Sequence, residues 1–188
     1  GGRVRGFEVD ETFVNIARGH GLDVSCATLE DFIAASDRRD YDLVILSHVL
    51  EHLADPSEAL EGVRRLLRDD GYLYLEVPNV DPDFHPLTPR FAGVAWRGEL
   101  QLAHNWYFDE AVLSALLRRH GFEVIACVKP FHLWMLARRV ARPLSASEPD
   151  RSLVQRKYRA IRWNTWRDRC TETLDRLGMK NALKSLVS

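Results

Sequence analysis

Short apolar runs alternate with amphipathic stretches along most of the chain, and this alternation predicts strands and helices in turn. We predict strands over 3–9, 22–26, 41–46, 72–77, 122–128 and 133–140, and helices over 11–18, 29–35, 56–70 and 110–120. Such alternation is typical of an α/β fold with a parallel, doubly wound sheet. Only residues 129–132 separate the last two strands. Because parallel neighbours need a crossover of about a dozen residues or more, these two strands are predicted to be antiparallel.

The third predicted strand and the helix after it have the clearest boundaries. Residues 41–46 form an apolar run that is typical of a strand buried on both faces. Asp55 can cap the following helix, Pro56 suits its first position and Gly71 ends it. Small and polar side chains at 47–52 follow the strand, at the position where open α/β sheets bind ligands.

Three segments of this unit, YDLV, VLEHLADP and LLRDDGYLYLEVPN, closely resemble class I S-adenosylmethionine-dependent methyltransferases. The LEH-x-x-DP core and the strand ending in VPN are similar to a bacterial branch that methylates small molecules, sugars and lipid-linked or quinone-type acceptors. The resemblance covers roughly residues 3–140. It implies a Rossmann-like, mostly parallel sheet with an antiparallel last strand, S-adenosylmethionine as cofactor, and methyl transfer to a small-molecule acceptor. The family's Gly-rich loop, G-x-G-x-G, does not occur in the sequence, and we expect the family's first strand and helix to lie upstream of Gly1 or to have been replaced.

The resemblance implies a cofactor site at the ends of the first two predicted strands. Glu8 would accept hydrogen bonds from both ribose hydroxyls, and Val9 follows it at the same strand end. Thr28 and Leu29 would face the adenine, with Leu29 packing on the ring. The structural alternatives are an exposed acid for Glu8 and a plain core residue for Leu29. An NAD-dependent oxidoreductase would also place an acid such as Glu8 on the ribose, but the LEH-x-x-DP segment and the antiparallel closing pair argue against it.

The same resemblance implies contacts between the methionine part of the cofactor and Ser47, His48 and Val49, partly through backbone atoms. For His52 we favour a structural role, in which the ring hydrogen-bonds the backbone and holds the loop. The run from His48 to His52 also matches H-x-x-E-H, the inverted zinc-protease motif. Two histidines four residues apart share one metal when the run is helical, and here it directly follows a strand. We therefore predict no metal site.

The segment AHNWYFDE, residues 103–110, resembles the part of the family that precedes the next helix. It places the imidazole of His104 beside aromatic side chains. Histidine is the usual general base near neutral pH, so His104 is our candidate for removing the proton of a hydroxyl acceptor. His85 and His48 are weaker candidates, and the alternative for His104 is that it only holds the loop. An acceptor that is a carbon or an already strong nucleophile needs no dedicated base.

Composition changes this picture little. At 188 residues, with 46% hydrophobic and 28% charged residues, the chain can form one α/β domain with a sizeable core. No apolar run is long enough to span a membrane. The three cysteines, Cys26, Cys127 and Cys170, fit neither a zinc site nor a disulfide framework. We therefore expect reduced, buried thiols and a cytoplasmic protein.

The net charge of −1 conceals two oppositely charged parts. Residues 151–188 contain ten Lys or Arg and three Asp or Glu, whereas residues 1–150 contain 16 basic and 24 acidic residues. We predict a methyltransferase-like domain over 1–143 and a basic helical tail over 144–188. Tryptophans at helical spacing favour packing of the tail on the domain or on a second subunit, which makes it a candidate homodimer interface. Attraction to phosphate groups is the alternative, and we find no nucleic-acid-binding motif.

The sequence leaves two functions open. One is methyl transfer to a small molecule. The other is a catalytically degenerate methyltransferase-like domain that binds a partner through its tail. The absent Gly-rich loop supports the second function only if the full gene also lacks that loop. No pattern in the chain selects among oxygen, nitrogen and carbon acceptors.

Overall fold

Strands and helices alternate through the part of the chain that the computed structural model describes, which comprises residues 2–79, 103–129, 132–146 and 173. In chain order, the elements are β1 (Gly6–Glu8), α1 (Glu11–Gly19), β2 (Val24–Cys26), α2 (Leu29–Ala35), β3 (Tyr41–Ser47), a 3-10 helix (Leu50–His52), α3 (Pro56–Leu66), β4 (Leu67–Pro78), α4 (Glu110–Arg119), β5 (Phe122–Val128) and β6 (His132–Arg139). Across these residues, no helix is long and apolar enough to cross a membrane. The predicted order of strands and helices is confirmed.

The strands form two hydrogen-bonded sheets within the described residues. β1 and β2 pair in parallel, with Glu8 opposite Cys26. The second sheet has the order β3–β4–β6–β5, in which β3 and β4 are parallel and β6 is antiparallel to both of its neighbours. The predicted α/β fold with an antiparallel last strand is therefore confirmed. Because β6 lies between β4 and β5, its first residues lie beside the carboxyl end of β4.

One hydrophobic core connects the helices with the larger sheet. It contains side chains from α2, α3 and α4 and from all four strands of that sheet. Phe7 of β1 packs against the same core, and its ring lies 5.5 Å from that of Phe32 on α2. α2 and α3 approach closely because α3 has a glycine at the contact, where a Cβ on Gly62 would lie 2.6 Å from Cδ1 of Ile33.

The prediction that β3 is buried on both faces is wrong. Leu46 is fully buried, but the side chains of Leu43 and Ile45 on the other face are 46% and 58% exposed. β3 is the edge strand of the four-stranded sheet among the described residues. A parallel strand is buried on both faces only when other elements cover both, and the core lies on the face of Leu46.

The boundary between α3 and β4 also differs from the prediction. The helix ends at Leu66 rather than before Gly71, and β4 begins at Leu67. The pairing register with β3 shifts between Tyr41 and Leu43, so part of the predicted helix end is instead a bulge in the sheet. Gly71 lies inside this bulge, where a Cβ would meet the carbonyl oxygens of Arg68 and Tyr41 at 3.0 and 3.1 Å.

The helix starts follow the predicted caps. The Asp55 carboxylate accepts from Ser57 N at the start of α3, and the Asp109 carboxylate accepts from Val112 N at the start of α4. The expectation of buried thiols is wrong for Cys26, which is exposed at the end of the short strand β2, whereas Cys127 is half-buried. Cys170 and nearly all of the tail lie outside the described residues, so the boundary at 143 and the dimer interface stay predictions.

Candidate functional site

Three side chains from neighbouring strands line up at the carboxyl ends of β3 and β4. Ser47 on β3 is paired with Glu76 on β4, and Glu76 is paired with Trp134 on β6. Because directly opposite residues point to the same face of a sheet, the three side chains project together. The Ser47 hydroxyl donates to Glu76 Oε2 at 2.9 Å, and the Trp134 indole N–H donates to Glu76 Oε1 at 2.8 Å.

Two imidazole rings complete the surroundings of Glu76. His132 Nδ1 lies 3.1 Å and His48 Nε2 lies 3.6 Å from Glu76 Oε1. The two rings meet edge to face, with their centroids 4.7 Å apart. The hydrogen bond from Trp134, and after it those from Ser47 and His132, hold the pKa of the Glu76 carboxyl below its usual range. We call these five residues the Glu76 cluster.

His48 reaches Glu76 because the backbone turns sharply after β3. Its φ of 53° lies in the left-handed region, which is uncommon for a residue other than glycine. The His48 N–H donates to the carbonyl of Glu76 at 2.9 Å, and the 3-10 helix Leu50–His52 follows. The H-x-x-E-H run is therefore not an α-helix, which is the arrangement that the inverted zinc-protease motif requires.

Glu51 is a buried acid next to the Glu76 cluster. It is 1% exposed, and its Oε1 lies 3.1 Å from His48 Nδ1 and 3.9 Å from His52 Nε2. Its other carboxylate oxygen, Oε2, is buried without a hydrogen-bond partner among the described residues. A buried carboxylate is costly unless hydrogen bonds or positive charge compensate it. The two histidines are the groups placed to stabilise it.

The backbone of Glu51 anchors the segment that precedes α4. Its carbonyl accepts from Asn105 N at 2.8 Å and from Trp106 N at 3.0 Å. His52 Nδ1 hydrogen-bonds the carbonyl of Ala103 at 2.9 Å, which is the structural role that the sequence favours for this histidine. These bonds hold residues 103–106 against the 3-10 helix.

The predicted base, His104, lies on this anchored segment. Its ring meets the ring of His52 edge to face at 4.8 Å and lies 5.8 Å from the ring of Tyr107. The side chain is half-buried. The structure therefore places His104 among ring side chains, as expected, while its role as a base stays a prediction. His85 lies outside the described residues.

Glu8 lies at the carboxyl end of β1, where the sequence predicts the ribose contact. Its Oε1 accepts from the backbone N–H groups of Val9 at 2.7 Å and Asp10 at 2.9 Å. Asp10 in turn caps α1 by accepting from Thr12 N. These bonds orient the Glu8 carboxylate at the positive end of the helix.

Thr28 and Leu29 begin α2. The Thr28 hydroxyl accepts from Asp31 N at 3.1 Å and donates to the Asp31 carboxylate at 3.0 Å, so it caps the helix. Leu29 is 2% exposed and belongs to the hydrophobic core. This burial favours the core alternative for Leu29, and contact with an adenine stays a prediction.

Sequence reasoning missed Glu76, His132 and Trp134. A local signal for Glu76 existed, since it is a polar residue at the end of an apolar strand next to the VPN run. His132 and Trp134 carry no such signal, because only the register between β4 and β6 brings them to Glu76.

Comparison with known sequences gives consistent matches. A protein family described as "Methyltransferase domain" matches residues 6–127 of the chain. A ubiquinone biosynthesis O-methyltransferase of Marinobacter nauticus is 26% identical over 137 residues, which cover 66% of this chain and 56% of that protein. A ubiquinone biosynthesis O-methyltransferase of Hydrogenovibrio crunogenus is 29% identical over 84 residues, which cover 42% of this chain and 35% of that protein. The chain thus spans about half or less of the length of these relatives.

Solved structures share the fold. A 1,6-didemethyltoxoflavin-N1-methyltransferase of Burkholderia thailandensis, crystallised with 1,6-didemethyltoxoflavin and S-adenosylhomocysteine, has a TM-score of 0.55 at 19% identity and covers 74% of this chain and 62% of its own. An S-adenosylmethionine-dependent methyltransferase of Archaeoglobus fulgidus has a TM-score of 0.54 at 16% identity and covers 72% of this chain and 75% of its own. At these identities the likeness shows the fold alone.

Proposed function

The chain belongs to the methyltransferase-domain family, and on that premise we propose that it transfers a methyl group from S-adenosylmethionine to a small-molecule acceptor. The observation that supports this most is the family match over residues 6–127. The match includes Glu8, Ser47, His48 and Glu76, which lie at the carboxyl ends of strands, where α/β sheets bind ligands.

We propose that the cofactor lies along these strand ends. Glu8 would accept hydrogen bonds from the ribose hydroxyls, and its fixed carboxylate suits that task because two backbone N–H groups already orient it. Thr28 and Leu29 would border the adenine. Ser47, His48 and Val49 would contact the methionine part, mainly through backbone atoms. When bound, S-adenosylmethionine supplies a methyl group that its positive sulfur has already activated.

The residues around the acceptor have the other catalytic tasks. They must hold the acceptor in line with the methyl group and exclude water. Trp106 and Tyr107 would offer aromatic surfaces to a ring-shaped molecule, and the nearby His104 would accept its proton. Trp106 is held in place by donating from Nε1 to the carbonyl of Leu53 at 2.9 Å.

We further propose that the acceptor atom is a hydroxyl oxygen on a small molecule of the phenol or quinone class. The two relatives compared above are named for O-methyl transfer in ubiquinone biosynthesis. A general base has a task only when the acceptor carries a proton that must leave, and a hydroxyl has one. The half-buried His104 beside aromatic side chains is consistent with such an acceptor.

The first test is binding of S-adenosylmethionine by calorimetry. We would compare this chain with a form extended upstream of Gly1, each with Glu8→Ala and, as the matched control, Glu11→Ala, which removes a neighbouring acid in the first turn of α1. A charge-assisted hydrogen bond contributes about 1.5–3 kcal/mol, so Glu8→Ala should weaken binding by about 10- to 100-fold. Glu11→Ala should leave binding nearly unchanged.

Two outcomes would contradict the proposal. If neither form binds S-adenosylmethionine while circular dichroism shows both to be folded, the chain is a degenerate domain that acts by binding a partner. If both forms bind and Glu8→Ala binds as tightly as Glu11→Ala, the cofactor does not use the end of β1.

A further inference from the structure

We propose that His48, Glu76 and His132 form a binding site for a divalent transition-metal ion such as Zn²⁺ or Co²⁺. One donor atom from each of these residues lies within 4.8 Å of the other two. This site departs from the sequence-based expectation that the chain binds no metal. It also differs from the H-x-x-E-H motif, which pairs His48 with His52, because here the ligands come from the ends of β3, β4 and β6.

The donor spacing suits such an ion. In a tetrahedral site with metal–ligand bonds of about 2.1 Å, two donor atoms lie about 3.4 Å apart. Glu76 Oε1 lies 3.1 Å from His132 Nδ1 and 3.6 Å from His48 Nε2. The donor nitrogens of the two imidazole rings also lie within 4.8 Å of each other. Ring movements of about 1 Å would bring all three donors to bonding distance.

The residues behind the ligands are those that metal sites commonly use. A histidine ligand usually donates its other ring N–H to a carboxylate or carbonyl, which fixes the ring and raises its basicity. His48 presents Nε2 to Glu76 and has Nδ1 3.1 Å from the buried Glu51 carboxylate. Trp134 and Ser47 hold the Glu76 carboxylate itself in one orientation. Two of the three proposed ligands, His48 and Glu76, therefore have supporting contacts.

The charge balance gives a second, independent reason. Glu51 is 1% exposed and its Oε2 has no hydrogen-bond partner among the described residues. Glu76 adds a second carboxylate, with a side chain that is 20% exposed. A dication held between them and linked to Glu51 through the His48 ring would add positive charge to the hydrogen bonds that both carboxylates already have.

A second group of donors, formed by Glu51, His52 and His104, also lies within 4.8 Å. It is the weaker candidate because Glu51 is closed off from solvent and its Oε1 already lies 3.1 Å from His48 Nδ1. In the proposed site the side chains of His48 and His132 are 41% and 30% exposed, so further coordination positions can face solvent. A site with three protein ligands and an open position is typical of catalytic rather than structural metals.

The open position suggests what the ion does, and this part rests on the proposed methyl transfer. An acceptor hydroxyl bound to the metal would lose its proton more easily, because the metal stabilises the oxyanion. An acceptor with two adjacent oxygens would bind most strongly, since both oxygens can occupy open positions.

The test measures metal binding and requires no methyl transfer. The chelator-treated protein is titrated with Co²⁺, whose visible absorption intensifies when it leaves water for a low-coordinate protein site, and Zn²⁺ is then added as competitor. The variants are Glu76→Gln, His132→Ala and Glu51→Gln, with His20→Ala as a control for an exposed histidine and His52→Ala as a control for the second group. Circular dichroism establishes that each variant is folded.

We expect one equivalent of Co²⁺ to produce the intensified band and Zn²⁺ to abolish it. Losing a residue that supports a metal ligand typically lowers metal affinity 10- to 100-fold, and we expect a loss of this size for Glu51→Gln. Glu76→Gln and His132→Ala each remove a ligand, so each should lower the affinity for Co²⁺ by at least about 100-fold. His20→Ala and His52→Ala should bind as the parent does.

A spectrum identical to that of aqueous Co²⁺ would overturn the site, and so would a band that is lost in His52→Ala but kept in His132→Ala. If Glu76→Gln does not fold, the Co²⁺ titration of His132→Ala alone tests whether these residues bind the metal. Binding of S-adenosylmethionine in a protein that fails this test would leave the proposed function intact.

Discussion

His104 is held against the ring of His52 on a segment that Glu51 fastens to the 3-10 helix. If it is the base, His104→Gln should lower kcat for a phenolic acceptor by about 10²–10⁴ at neutral pH, the usual contribution of a positioned base. The loss should shrink as the pH approaches about 10, because a phenol then ionises without help. Binding of S-adenosylmethionine should not change.

The control for this prediction is His20→Ala, which removes an exposed histidine at the end of α1. Steady-state rates measured over a pH series separate the two roles of His104. If His104 only holds the loop, His104→Gln should lower kcat by the same factor at every pH. That result would leave the acceptor proton to another group, such as His48.

The positions of candidate site residues were predictable where they followed directly from chain order. Ser47 and His48 are recognisable because they end an apolar strand. Trp134 and His132 are not, since only the β4–β6 register brings them to Glu76. Leu29 shows the opposite problem, because its apolar side chain suits either a cofactor or the core, and the structure buries it at 2% exposure.

At the level of elements, α1 and α4 end in the same way. Each has a histidine at the C-cap followed by a glycine in the left-handed region, Gly21 at φ 79° and Gly121 at φ 76°. An alanine Cβ at Gly21 would meet nothing within 4 Å, whereas at Gly121 it would lie 2.7 Å from Arg64 Nε. Arg64 donates to the carbonyls of Val140 and Ala141, so it connects α3 to the end of β6.

We therefore expect the two Gly→Ala substitutions to differ in cost. Gly21→Ala should lower the free energy of unfolding by about 1–2 kcal/mol, the cost of left-handed backbone for a residue with a Cβ. Gly121→Ala should cost about 1 kcal/mol more, because Arg64 must also move. Urea unfolding measures both. Equal costs would mean that Arg64 shifts freely and that its hydrogen bonds contribute little.

Helix starts were easier to predict than the end of α3. Asp55 and Asp109 cap helices through contacts with residues two or three positions away, so the signal is local. The end of α3 depends instead on how β4 pairs with β3. The bulge takes Leu67 out of the helix and into the strand, and Gly71 serves the bulge rather than the helix end.

For the whole molecule, the order of strands and helices and the antiparallel closing pair were predictable from periodicity and from the shortness of one connection. The division into two hydrogen-bonded sheets was not, since periodicity does not say which strands are neighbours. Among the described residues, β1 and β2 pair only over three residues, Gly6–Glu8 with Val24–Cys26. β4 is paired on both sides over residues 72–76, by β3 and β6.

This difference predicts uneven protection against amide hydrogen exchange. Amides of Leu75 in β4 and Met135 in β6 should exchange only through global unfolding, with rates that rise steeply as urea is added. Amides bonded across β1 and β2, such as that of Ala27, which donates to Glu8 O at 3.0 Å, should exchange faster and with little dependence on urea, because a short two-stranded ribbon opens locally. Nuclear magnetic resonance exchange measurements at several urea concentrations test this directly.

If Glu8 binds the ribose of S-adenosylmethionine, adding that cofactor should slow exchange at Val9 and Asp10, the amides that Glu8 holds, while Leu75 changes only as far as global stability does. Equal protection of both sheets without cofactor would mean that the hydrophobic contacts of Phe7 couple β1 to the core as firmly as hydrogen bonds couple β4 to its neighbours.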